Sequence, residues 1–184
     1  MVGLILLCTA FGCFFLFAGW CVFQLWQLKH VTLDDGKPYV DPHQRIFLRY
    51  PPWWEYQTDG DEARFMSHEK DGLLKVRAHA RDDFSGNPKE IIETIARERS
   101  IQWDEPEIQD IEVNGIQGAQ IDSRASVDEN ARWYFHFWVF ADTGSVTVFE
   151  YRSSVMFGMV DAVYLDRMVK TLRMPPPKIP HLSG

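Results

Sequence analysis

Charge is absent from residues 2–28 and begins abruptly at Lys29. A helix of about 20 residues crosses the ~30 Å hydrocarbon layer, so the pattern predicts a transmembrane anchor over 1–28. Lipid cannot solvate an ion, and one at mid-bilayer costs at least about 2.5 kcal/mol. A cleaved signal peptide is the rival reading, with a basic start, a short apolar core of roughly 7–15 residues and small residues at the cleavage site. Here no Lys or Arg precedes the core, the core is longer, and its end, Trp20-Cys21-Val22-Phe23-Gln24-Leu25-Trp26, is bulky. Trp20 and Trp26 have the amphipathic character of an interfacial belt. Cys8, Gly12 and Gly19 fall near one stripe, where small side chains let a second helix approach closely. The plain alternative is that small residues are common in membrane helices.

Past Lys29 the pattern breaks up. Residues 29–44 show turn chemistry, Asp34-Asp35-Gly36-Lys37-Pro38 and Asp41-Pro42, without a hydrophobic period, which predicts an extended linker. Strand patterns follow at 45–50, stopped by Pro51-Pro52, then at 53–57 and 63–68, with turn signals at Asp59-Gly60 and Asp71-Gly72. Residues 73–80 alternate cleanly: Leu74, Val76, Ala78 and Ala80 on one face, Lys75, Arg77 and His79 on the other, with Arg81 following. Asn87-Pro88-Lys89-Glu90 is a helix start, and Ile91, Ile92, Ile95 and Ala96 form its apolar stripe. Strands are then predicted at 107–113, 116–126, 132–140 and 145–152, the first two joined at Asn114-Gly115. The 132–140 run is apolar or aromatic on both faces, as expected of a central strand covered on both sides. A last helix is predicted over 159–174, with Val160, Val163, Tyr164, Met168 and Leu172 inward. Residues 175–184 open with Pro175-Pro176-Pro177 and predict a polyproline-like tail. The expected fold class is α+β: a single antiparallel sheet with two packed helices over 45–174, preceded by one transmembrane helix.

Three short motifs carry a family resemblance: Phe47-x-x-Tyr50-Pro51-x-x-Trp54, Val113-Asn114-Gly115-x-x-Gly118, and Met168-Val169-Lys170-Thr171-Leu172-Arg173. Together they resemble the PsbP/DcrB-like superfamily over residues 45–174. The resemblance implies a small α/β/α sandwich, frequently exported, that binds membrane assemblies, other proteins or occasionally a small ligand. Its photosynthetic members are extrinsic subunits on the lumenal face of a photosystem, most members are non-catalytic, and no catalytic residue carries over. The motif spacing also predicts Trp54 buried and Trp53 exposed, since adjacent extended residues point to opposite sides.

Composition narrows the chemistry. All three cysteines, Cys8, Cys13 and Cys21, lie in the apolar run, so the soluble part has no disulfide, Cys-ligated zinc or cysteine nucleophile. The net charge of -7 and the lack of a basic stripe exclude a nucleic-acid surface. The acidic clusters Asp59-Gly60-Asp61-Glu62, Asp82-Asp83 and Asp104-Glu105-Pro106-Glu107 read as solvated loops, without the spacing of a calcium loop. There is no phosphate loop, nucleophile elbow or His-x-x-x-His pair. His79 and His136 read as satisfied structural histidines. No catalytic residue, metal site or cofactor is expected. The aromatic 132–140 strand reads as core, and the sharper alternative is a partner-binding patch of Trp53, Tyr134, His136 and Trp138.

Orientation has opposed indications. Lys29, Lys37 and Arg45 behind the anchor favour a cytoplasmic domain on a simple count. An amino-terminal signal-anchor ahead of one folded domain more commonly exports it, so the periplasmic side is the expectation. The functional expectation is a non-enzymatic accessory or stabilising subunit of an integral membrane protein complex, photosynthetic or respiratory complexes among the candidates, in contact with the lipid bilayer. The alternative is a free envelope protein that binds a small or lipid-like ligand.

Overall fold

The structure is a computed structural model that describes residues 33–67, 72–104, 107–128 and 131–174, with backbone alone for 126–128, 131–132 and 155–160. The expected anchor, with Cys8, Gly12, Gly19, Trp20 and Trp26, and the Pro-rich tail lie outside the described residues. Among the described residues no helix is long and apolar enough to cross a membrane.

The segment expected as a linker is built into the domain from Leu33 onward. Strand β1 (Lys37–Val40) pairs antiparallel with β2 (Phe47–Tyr50), and Leu33 and Tyr39 are buried in the core. Between the strands, Asp41 is buried and its carboxylate accepts the backbone N–H groups of Arg45 (2.5 Å), Ile46 (2.7 Å) and His43 (3.1 Å). A four-residue strand is too short to show a period, and Pro38 is tolerated because it lies in a two-stranded edge. The domain therefore has two sheets where one was expected.

The larger sheet has eight antiparallel strands. In order they are β3 (Glu55–Asp59), β4 (Glu62–Met66), β5 (Leu73–Ala80), β10 (Ser145–Ser153), β9 (Ala131–Ala141), β8 (Ile116–Asp128) and β6 (Gln102–Trp103). Strand β7 (Gln109–Val113) pairs with the first half of the long β8, and β6 with its end. The β7–β8 turn is Asn114-Gly115, with φ of 53° and 82°, the conformation that favours Asn-Gly in tight hairpins. Gly118 is required by packing: an added Cβ would lie 2.6 Å from the Phe140 ring on the neighbouring strand.

Helix α1 (Pro88–Glu98) starts where the capping pattern predicted. Asn87 Oδ1 accepts the N–H groups of Lys89 (3.0 Å) and Glu90 (3.1 Å), and the Glu90 carboxylate accepts the Asn87 N–H (3.0 Å). Its Ile91, Ile92 and Ile95 pack with Phe135, Phe137, Val139 and Val148 on one face of the sheet. Helix α2 (Val155–Lys170) begins and ends four residues before the predicted 159–174. Its end is set by tertiary contacts: Asn114 Nδ2 donates to the carbonyls of Lys170 and Leu172, both at 2.9 Å, and Arg173 bridges to Phe47. Leu165, Met168, Val169 and Leu172 pack with Trp138, Phe140, Phe149 and Tyr151 on the other face, together with residues of β1–β2. The result is a three-layer α/β/α sandwich, and β9 is covered on both sides as its pattern required.

Candidate functional site

Beyond the edge of α1, its face of the sheet turns from apolar to charged. The register aligns Glu62 with Arg77 and Arg64 with Lys75 across β4–β5, and Lys75 with Glu150 across β5–β10. Arg64 contacts Glu62 and Asp59, each at 2.6 Å, Arg77 pairs with the other Glu62 oxygen, and Arg99 at the end of α1 pairs with Glu150. Lys75 is looser, 4.0 Å from Glu62. Glu62 thus gathers Arg64, Lys75 and Arg77 around it, and the Arg64 and Arg77 side chains keep 38% and 40% exposure, so this half of the face is open to solvent.

Glu62 is the anchor of this ladder. It was expected in a solvated acidic loop, but it opens β4 and is only 5% exposed. Burial raises its carboxyl, and the contacts with Arg64 and Arg77, with Lys75 nearby, outweigh that and hold it below the usual carboxylate range. Where β5, β10 and α1 meet, a cavity of about 120 Å³ is lined by Lys75, Arg77, His79, Phe84, Arg99 and Glu150 among others. His79 packs edge-on against Phe84, ring centroids 5.0 Å apart, and burial holds its pKa below the ordinary value. The polar face of β5 was legible from its alternation. Its meeting with Glu62, Arg99 and Glu150 was not, because those residues come from three other elements.

The aromatic patch that the sequence offered as the alternative to core packing on β9 is not an open surface. Trp138 is 2% exposed, and Tyr134 and His136 are half-buried beneath the α2 side. These side chains alternate with Phe135 and Phe137, and the α2 layer covers one set while α1 covers the other. The His136 ring stacks on Trp138 with centroids 3.5 Å apart. Among the described residues neither His136 ring nitrogen has a hydrogen-bond partner, and the nearest carboxylate oxygen, on Asp122, is 4.0 Å away. The expectation of a satisfied histidine is therefore corrected. Burial pushes its pKa down to about 3, so the ring is neutral. Beside it Tyr134 bonds Asp122, and burial followed by that contact raises its phenol. Deeper in the same layer the Tyr151 hydroxyl donates to buried Asp161 at 2.6 Å.

Trp53 is separate from this cluster. It lies in the β2–β3 turn, 47% exposed, its ring edge-on to Tyr164 of α2 at 5.7 Å. Trp54 is 3% exposed, as expected, but by a different route: the backbone turns, with the Trp54 N–H donating to the Pro51 carbonyl at 3.0 Å. Among the described residues no group of three His, Cys, Asp or Glu is placed to hold a metal ion.

No protein-family model matches the chain, and no curated protein sequence does. Solved structures do. The solution structure of cyanobacterial PsbP (CyanoP) from Synechocystis sp. PCC 6803 superposes with a TM-score of 0.57 at 14% identity, over 75% of this chain and 91% of that one. The domain has a PsbP-like fold. A protein of Bacteroides thetaiotaomicron VPI-5482 superposes at 0.53 and 16% identity, over 78% of this chain and 49% of that one. LpqN of Mycobacterium tuberculosis, described as involved in cell envelope biogenesis, gives 0.46 at 13% identity over 78% and 87%. The PsbP-like fold agrees with the resemblance drawn from the three short motifs. Those motifs now have physical content: Gly118 lies under Phe140, Asn114 caps α2, and Trp54 fills the core behind β2.

Proposed function

We propose that this chain is a membrane-anchored, non-enzymatic binding domain, an accessory or stabilising subunit of an integral membrane protein complex on the extracytoplasmic side. The observation that carries the reading is the charged face formed by Asp59, Arg64, Lys75 and Arg77 around buried Glu62. Charges of both signs held in fixed register are suited to aligning a protein partner, because electrostatic complementarity sets register and partner choice more than raw affinity. The charge-free run 2–28 supports the anchor, and the PsbP-like fold fits a small domain seated on a larger assembly. The adjoining cavity supports the second reading, a bound ligand. At about 120 Å³ it falls below the ~300–1,000 Å³ usual for organic ligands and suits a small polar species better than a lipid.

Purification of the full chain in mild detergent separates the two. A subunit brings integral membrane partners in fixed stoichiometry, whereas a ligand-binding protein comes alone. Lys75→Gln should lower partner recovery with only a small change in melting temperature, because its contact with Glu62, at 4.0 Å, is the loosest of the ladder. Gly12→Leu and Gly19→Leu should do the same by overfilling the small-residue stripe. Recovery of the chain alone would refute the accessory role.

A further inference from the structure

We infer that the domain rests on the bilayer by its Trp53 end, with the Trp53 ring seated among lipid headgroups. The inference builds on the proposed anchor and adds which surface of the domain meets the membrane.

Trp53 and Tyr56 are the large hydrophobic side chains exposed among the described residues, at 47% and 38%, and three positions separate them. Trp53 is held outward by its neighbours. Trp54 roots the turn in the core, the Pro51 carbonyl closes it, and Tyr164 supports the indole edge-on. A Trp presented this way has an apolar ring and one N–H donor, the combination favoured at the membrane–water boundary.

The place where the chain enters the domain is at the same end. Lys37 pairs with Tyr50, so residues 33–36 precede β1 and residues 51–53 follow β2 from one end of the two-stranded sheet. The approach is close enough to require glycine. A Cβ on Gly36 would lie 2.9 Å from the Leu33 carbonyl oxygen and 3.0 Å from that of Tyr50. Arg49 ties the segment down through the carbonyls of Asp34 and Gly36. From Leu28, the last residue of the charge-free run, to Leu33 is five residue steps, at most about 18 Å of extended chain. An anchor ending at Leu28 would be joined to this end of the domain by no more than that length of chain. The Asp142–Gly144 turn lies at the other end of the large sheet, since Ser145 pairs with Ala80 while Arg152 pairs with Leu73. Exposed Asp34 and Asp35 sit beside exposed Lys37, so ring insertion rather than charge makes the contact, and zwitterionic lipid suffices.

The test is a spin label on the full chain in phosphatidylcholine vesicles, with Cys8→Ala, Cys13→Ala and Cys21→Ala removing the native thiols. One sample carries Trp53→Cys and the other Thr143→Cys, an exposed position in the far turn. Relaxation by oxygen, which partitions into lipid, is compared with relaxation by a water-soluble nickel chelate. The label at 53 should show a higher oxygen-to-nickel ratio than the label at 143, and detergent exchange should abolish the difference. Equal, water-like ratios at both sites in membrane-bound protein would overturn this inference and leave the anchor intact. Release of the chain from vesicles by alkaline carbonate would overturn the anchor, and the inference with it. Protection of residue 53 only when copurified proteins are present would assign the surface to a protein partner and refute the lipid contact.

Discussion

Replacing Asp41 by Ala removes the acceptor of three backbone N–H groups at once. The Ile46 N–H is buried and has no water to turn to, so its loss costs about 1–3 kcal/mol. The N–H groups of Arg45 and His43 are less deeply placed and regain water, at about 0.5–1.5 kcal/mol each. The sum centres on about 4 kcal/mol. For a domain of this size 1 kcal/mol shifts the melting temperature by about 2–4 °C, so Asp41→Ala should melt roughly 12 °C lower. Asp41→Asn keeps one oxygen toward Arg45 and Ile46 and should lose less than half as much. Asp35→Ala is the control, since Asp35 is exposed, and it should stay within about 0.5 kcal/mol of wild type. Melts of residues 33–184 followed by circular dichroism decide it. An Asp41→Ala melt within 2 °C of wild type would mean that residues 33–44 are the loose linker their turn chemistry suggested.

Four further outcomes are expected. Trp54→Ala should cost about 3–5 kcal/mol in urea denaturation, while Trp53→Ala changes stability by less than about 0.5. Glu62 has a depressed carboxyl pKa when folded, so its stabilising contribution is present above the unfolded value of about 4.3 and lost as pH falls through the folded one. The stability gap between wild type and Glu62→Gln should therefore be full at pH 6–7 and narrow under acid, and a gap independent of pH would contradict the ladder. His136 stays neutral when folded and takes up a proton when unfolded, so the domain should lose stability as pH falls from about 6.5 toward 3. Denaturant melts of His136→Phe should show a flatter decline across that window. Finally, the intact mass of the mature protein should include residues 1–28, and a chain starting after Trp20 or carrying lipid on Cys21 would replace the anchor by a processed signal.

Features whose cause is local were legible in the sequence. Asn87-Pro88-Lys89-Glu90 started α1 because the cap is made within four residues. Asn114-Gly115 turned the chain because both residues accept positive φ. The two-sided apolar pattern of β9 demanded cover on both faces, and a charge-free run long enough to span lipid is itself a sequence property. The tertiary structure alone decided the rest. Tyr39 and Leu33 gave no periodic signal, yet they are core once β1 pairs with β2. Glu62 stands in an acidic stretch, yet Arg64 and Arg77 close over it when β4 and β5 align. Tyr134, His136 and Trp138 share the face that the strand's pattern required to be covered, but only the packed structure shows His136 stacked on Trp138 with no hydrogen-bond partner among the described residues. Burial and ion pairing depend on neighbours distant in sequence, whereas caps and turns depend on neighbours within a few residues.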